Sequence, residues 1–174
     1  MTIQILEQVI ERHGKEIYFF CLRLTNQKEA AEELYQDTWL YACKNLDKID
    51  DDRNVRSYLL SVAIHHWQNQ KRKYAWRKRI IPETEYREEA DGEQVDIVEE
   101  GLSKYLNLER DQMVRNAIFK LKDKYQIPIL LFYMQEMSIK EIASLLKIPV
   151  GTVKSRLNYA RKYLEKELED YIHE

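Results

Sequence analysis

Near the C-terminus two short apolar stripes, Ile139, Ile142, Ala143 and Leu146, then Val153, Leu157, Ala160 and Leu164, are separated by Lys147-Ile148-Pro149. Each stripe recurs at three and four residues, the spacing of one helix face, and a proline cannot continue the first helix. The segment therefore predicts two helices across a tight turn. Ser138 with Glu141 forms a capping box ahead of the first, and the second opens around Val150 or Gly151. Ala143 is small where the helices cross, and Val153, ten residues on, locks the second against the first. That layout is a helix-turn-helix. Thr152, Lys154, Ser155, Arg156, Asn158, Tyr159 and Arg161 are left off the stripe. They supply polar groups for base edges and cations for phosphates, as a major-groove reader needs. Lys147 takes a turn position often held by glycine, and a left-handed backbone there costs about 1 kcal/mol.

The rest of the chain supports a nearly all-α protein, because 174 residues contain only four Gly and three Pro. That length suits two compact units. Leu6, Val9, Ile10, Ile17, Phe20, Cys21 and Leu24 make a first amphipathic helix over 5–24. Asn26 and Glu29 resemble a capping box for a second, with Ala31, Leu34, Tyr35, Thr38 and Ala42 inward and Glu29, Glu33, Gln36, Asp37 and Leu40 outward. A polar stretch over 45–54, containing Asp50, Asp51 and Asp52, predicts a loop. A third helix spans about 55–76, apolar first and then aromatic and basic. Residues 80–107 read as a flexible acidic linker, with a short helix possible around 95–106. From Leu108 the helical pattern resumes through Met113, Val114, Ala117, Ile118 and Leu121. In the apolar segment 127–134, Pro128 requires a helix that begins late or bends.

The formal net charge of -2 conceals two opposed blocks. Residues 53–79 hold eight Lys or Arg and no acid, whereas residues 83–100 hold nine acids against Arg87 alone. The first block predicts a nucleic-acid surface. Cys21 and Cys43 both fall in apolar helical patterns and read as buried thiols of a reducing compartment. With no signal-peptide pattern and no apolar run long enough to span a bilayer, the expected location is the cytoplasm, without membrane insertion. No phosphate loop, nucleophile elbow or carboxylate pair is present, so no catalytic residue is expected. His13, His65, His66 and His173 lack metal spacing, and adjacent helical histidines diverge by about 100°. Neither metal nor cofactor is expected.

The string Glu141-Ile142-Ala143, continued by Ile148-Pro149-Val150-Gly151-Thr152-Val153-Lys154-Ser155-Arg156-Leu157 and Ala160-Arg161, resembles region 4 of the extracytoplasmic-function sigma factors of the sigma-70 family. Ala31-Glu32-Glu33-Leu34-Tyr35-Gln36-Asp37-Thr38-Trp39-Leu40 is similar to that family's region 2.2. The resemblance implies an all-α chain of two helical domains: a region 2 bundle over 1–79, the linker over 80–107, and a four-helix region 4 over 108–174. Its implied function is to bind core RNA polymerase and direct promoter-specific initiation. Glu33, Gln36, Asp37 and Leu40 would then face the clamp helices of the largest polymerase subunit, and the helix-turn-helix residues would meet the minus-thirty-five element.

By the same resemblance the loop over 45–54 would capture an unpaired base, with Arg53, Asn54, Arg56, Tyr58, His65, Lys71, Arg72 and Trp76 as minus-ten candidates. Polar groups suit base edges, cations suit phosphates and aromatic rings offer stacking surfaces. Tyr58 and Trp67 equally suit a core position. His65 stands where many relatives carry Asn, and Tyr159 where a second basic residue is frequent; both bear on promoter preference. The family also implies an anti-sigma factor as partner. The rival expectation is a free-standing helix-turn-helix regulator with an N-terminal sensing or dimerisation domain. The basic third helix argues against it, since a sensor needs no second nucleic-acid surface.

Overall fold

The computed structural model describes residues 3–49, 54–80 and 108–172, and these are helical with no strand among them. The helices fall into two compact units, one within Met1–Val95 and one within Asp96–Glu174.

The first unit contains α1 (Ile3–Thr25), α2 (Lys28–Lys44), a 3-10 turn (Leu46–Lys48) and α3 (Val55–Ile80), each long helix packed on the other two. Their shared interior is Ile17, Phe20, Cys21, Leu24, Leu34, Leu59, Leu60 and Ala63, all fully buried. Each large aliphatic removed from water contributes about 1.5–3 kcal/mol before conformational entropy is charged against it. The α1 stripe buries only from Ile17 onward, and Ile10 is exposed. On α2 the inward residues are Ala31, Leu34, Thr38, Trp39 and Ala42; the expected Tyr35 is half-buried and Trp39 takes the place at the core. The two helices approach closely at Gly14, where a Cβ would lie 3.0 Å from the Tyr35 hydroxyl.

The expected capping box at Asn26 does not form. Asn26 adopts a left-handed backbone, φ 53°, and its N–H donates to the Leu22 carbonyl, so it ends α1 rather than starting α2. The Thr25 hydroxyl secures the corner, within 2.9 Å of the Cys21 carbonyl and 3.1 Å of the Gln27 carbonyl. Asparagine tolerates this conformation better than most residues, which favours its use as a helix stop here. Cys21 is buried as expected, but Cys43 is exposed on the outer side of α2.

The second unit consists of α4 (Leu108–Lys120), α5 (Asp123–Tyr133), α6 (Ile139–Leu146) and α7 (Val150–Ile172). Helix α7 is the spine against which the other three pack. Ala117, Leu121, Ile127, Leu131, Ile142, Val153, Leu157 and Ala160 form the interior, while Leu164, expected inside, is half-buried. Helix α5 does not begin late: it starts at Asp123 and carries Pro128 in its second turn. Five buried neighbours, Gln126, Ile127, Ile129, Leu130 and Leu131, outweigh the one backbone bond that proline forfeits. The acidic run over 83–100 and the short helix considered around 95–106 lie outside the described residues.

Candidate nucleic-acid interface

The helix-turn-helix is built as its sequence requires. The Ser138 N–H donates to Glu141 Oε2 at 2.7 Å and the Glu141 N–H to Ser138 Oγ at 3.2 Å, closing the capping box. Lys147 takes the left-handed turn, φ 54° and ψ 46°, and the Ile148 N–H returns to the Ala143 carbonyl. Pro149 opens α7, its carbonyl accepting from the Thr152 and Val153 amides. Ala143 and Val153 are both buried at the crossing.

With Val153, Leu157 and Ala160 facing inward, Lys154, Ser155, Asn158, Tyr159 and Arg161 are exposed, and Thr152 and Arg156 are half-buried along one edge. Gly151, Ser155, Asn158 and Lys162 recur at three and four and form the outermost line of α7. Lys162 was missing from the expected set, although the spacing from Ser155 and Asn158 locates it. Two candidates already have partners on α5. Tyr159 stacks on Tyr125 with centroids 4.1 Å apart and planes at 24°, and Arg161 Nε donates to the Tyr133 hydroxyl at 2.7 Å.

In the first unit Arg53 lies outside the described residues. Asn54 is exposed at the mouth of α3, its carbonyl accepting from the Tyr58 amide. Arg56 pairs with Glu16 of α1, Nε to Oε1 at 2.6 Å, and so stitches α3 to α1. Tyr58 and Trp67 lie between the core and the surface. Both rings are half-buried, and the Tyr58 hydroxyl and Trp67 Nε1 are enclosed without a hydrogen-bond partner. Burial, and secondarily the neighbouring Tyr41, pushes the Tyr58 hydroxyl above the ordinary phenol value.

Beyond Gln70 every residue of α3 is exposed, so its last turns carry no buried face. Two stripes run from the middle of α3 into that part. His65, Asn69, Arg72 and Trp76 share one face, with Trp76 64% exposed and His65 Nε2 2.9 Å from Asn69 Nδ2. Trp67, Lys71, Tyr74 and Lys78 share another, where Lys71 Nζ lies 5.3 Å from the Trp67 centroid and Lys78 Nζ 4.8 Å from that of Tyr74. Lys71 is thus separated from Arg72 and Trp76, with which it was grouped in the sequence reading. Tyr74 and Lys78 were overlooked, although their i, i+4 spacing repeats that of Trp67 and Lys71.

On α2, Glu33, Gln36 and Leu40 are exposed, Leu40 by 57%, while Asp37 is half-buried and its Oδ2 accepts from Gln70 Nε2 at 3.4 Å. All four lie on one face. Exposed Tyr41 adjoins them, its ring 5.4 Å from that of His66. The described residues contain no cluster of His, Cys, Asp and Glu able to hold a metal ion.

Known proteins place these features in a family. The family description "Sigma-70 region 2" matches residues 9–77, and "Sigma-70, region 4" matches residues 111–164. The chain is 30% identical over 170 residues to the ECF RNA polymerase sigma factor SigW of Bacillus subtilis (strain 168), covering 93% of this chain and 88% of that one. It is 28% identical over 170 residues to the RNA polymerase sigma factor YlaC of the same organism, covering 94% and 91%. Among solved structures its fold is similar to the sigma factor RpoE of Bartonella quintana in complex with the anti-sigma factor NepR. There the TM-score is 0.73 at 20% identity, over 96% of this chain and 98% of that one.

Proposed function

The chain belongs to the extracytoplasmic-function sigma factors of the sigma-70 family, which bind core RNA polymerase and direct promoter-specific initiation, and from that premise we propose how its residues divide the work. Helices α6 and α7 read the minus-thirty-five element. Polar residues early in α7 and the Arg156 guanidinium meet base edges, and Lys154 and Lys162 hold phosphates. The observation that carries this is the exposed polar and basic line of α7, presented by a closed capping box and a left-handed Lys147. Helix α3 and the loop before it engage the minus-ten element through Arg53, Asn54, Tyr58, His65, Lys71, Arg72 and Trp76. Arg56 holds α3 against α1.

The face of Glu33, Gln36, Asp37 and Leu40 docks on the clamp helices of the largest polymerase subunit, where an exposed leucine on a face that also carries two acids suits a partially apolar, cationic partner. The chain itself performs no bond chemistry; polymerase does. The protein works in the cytoplasm, and no described helix is long and apolar enough to cross a membrane. An anti-sigma factor is the expected regulator, since the Bartonella protein is seen with one.

Run-off transcription with the full chain and core polymerase tests the division. Arg156→Ala is expected to lower transcription dependent on the minus-thirty-five element by about 10- to 100-fold, the worth of one good contact, while core binding persists. Equal loss of both activities refutes the split. Duplex binding with no association with core restores the free-standing regulator.

A further inference from the structure

We propose that α5 aims the recognition helix by clamping Tyr159 and Arg161 on its two flanks, so that Tyr125 and Tyr133 set sequence discrimination without touching DNA. The inference rests on the assignment of α7 to the minus-thirty-five element. Tyr125, in the first turn of α5, stacks on Tyr159, and Lys124 Nζ stands 4.9 Å from the Tyr125 centroid. Tyr133, the last residue of α5, accepts from Arg161 Nε at 2.7 Å. The Arg161 guanidinium also lies 5.4 Å from the Phe132 centroid and 5.6 Å from that of Tyr133. Tyr125 and Tyr133 are about 12 Å apart along the axis of α5, whereas Tyr159 and Arg161 are about 3 Å apart along α7 and diverge by about 160°. Helix α5 therefore crosses α7 and grips it on opposite flanks.

A helix packed along one seam can still roll. A roll of about 10° moves a side-chain tip, some 6 Å from the axis, by about 1 Å. That is enough to break a bidentate bond to a base edge, because hydrogen bonds tolerate only a few tenths of an ångström. Phosphate attraction falls off slowly with distance and survives such a shift. Clamps on both flanks therefore protect discrimination rather than affinity. The bond to Tyr133 also fixes the guanidinium plane of Arg161 while leaving its two terminal amino groups to donate as a fork. Tyr133 is 58% exposed and Tyr159 50%, so neither clamp belongs to the packed interior.

The test uses full-length chain in reconstituted holoenzyme to select from promoter fragments carrying a randomised minus-thirty-five element, read by sequencing. Tyr133→Phe keeps the ring and loses the acceptor; Tyr125→Phe keeps the stack; Tyr125→Ala loses it. Tyr133→Phe and Tyr125→Ala are expected to cut enrichment of the wild-type-preferred sequence by about 3- to 10-fold, the worth of one net hydrogen bond or ring stack. Tyr125→Phe selects as wild type with an unchanged melting temperature, and all three variants keep their affinity for core. Unaltered enrichment in both damaged variants, while Arg156→Ala lowers enrichment of the preferred sequence, overturns the clamp alone. If Arg156→Ala also leaves selection intact, the assignment of α7 fails and the clamp with it. Uniform weakening across the library with a lowered melting temperature reduces the tyrosines to packing.

Discussion

Cys21 and Cys43 show how little a residue's local pattern reveals of its chemistry. Both sit among apolar neighbours in the sequence, yet Cys21 lies inside the α1–α3 bundle and Cys43 is exposed. Burial, only partly offset by a backbone hydrogen bond, pushes the Cys21 thiol from 9.0 to about 12. Alkylation of the native protein at pH 8 should therefore label Cys43 alone, and mass spectrometry reads the outcome directly; labelling of Cys21 without unfolding contradicts the packing. The sign of the linkage follows. The folded pKa is raised, so the contribution is complete below pH 9 and is lost as pH climbs toward about 12, because only the unfolded chain ionises its thiol there. Gly151 is the complementary case. A Cβ there would meet nothing within 4 Å and its φ is not positive, so the fold gives no reason for glycine. Gly151→Ala is expected to raise stability by up to about 1 kcal/mol in a melting experiment. The same variant should weaken minus-thirty-five binding if DNA fills the space that glycine leaves.

At the scale of elements, the helix-turn-helix is a chain of local devices, and each has its own measurable share. The capping box satisfies two amides that otherwise lack partners, so Ser138→Ala should cost about 1 kcal/mol. Lys147 works against the fold: its left-handed backbone is strained, and Lys147→Gly should return about 1 kcal/mol. Thermal melts of the two variants should thus move in opposite directions, and a Lys147→Gly variant no more stable than wild type contradicts the strain. Helix α3 divides differently. Its first half is held by burial of Leu59, Leu60, Val62, Ala63 and Ile64, whereas its last ten residues are exposed on every side. That exposure is what leaves two aromatic and basic stripes available to a partner.

For the whole molecule the governing fact is the opposition of charge along the chain: eight cations without an acid over 53–79, then nine acids against Arg87 over 83–100. Acids covalently tethered to a basic helix are present at high effective concentration and compete with phosphate for the same cations. Replacing those acids with neutral residues is expected to raise the affinity of the free chain for promoter duplex at low salt, with the gain vanishing as salt is added. Anisotropy titrations at two ionic strengths check this, and an unchanged affinity removes self-competition from the picture.

The helices, the helix-turn-helix and the family were legible in the sequence because each rests on short-range periodicity, capping and a contiguous string of residues. The left-handed Lys147 was legible for the same reason. What the tertiary structure decided depends on which helix packs against which, and no spacing within one helix contains that. It replaced Tyr35 with Trp39 at the core, turned Asn26 into the end of α1, and exposed Cys43. It tied Arg56 to Glu16. It also set Tyr125 and Tyr133 against the recognition helix. Those partners are 28 or more residues apart in the chain, so only packing brings them together.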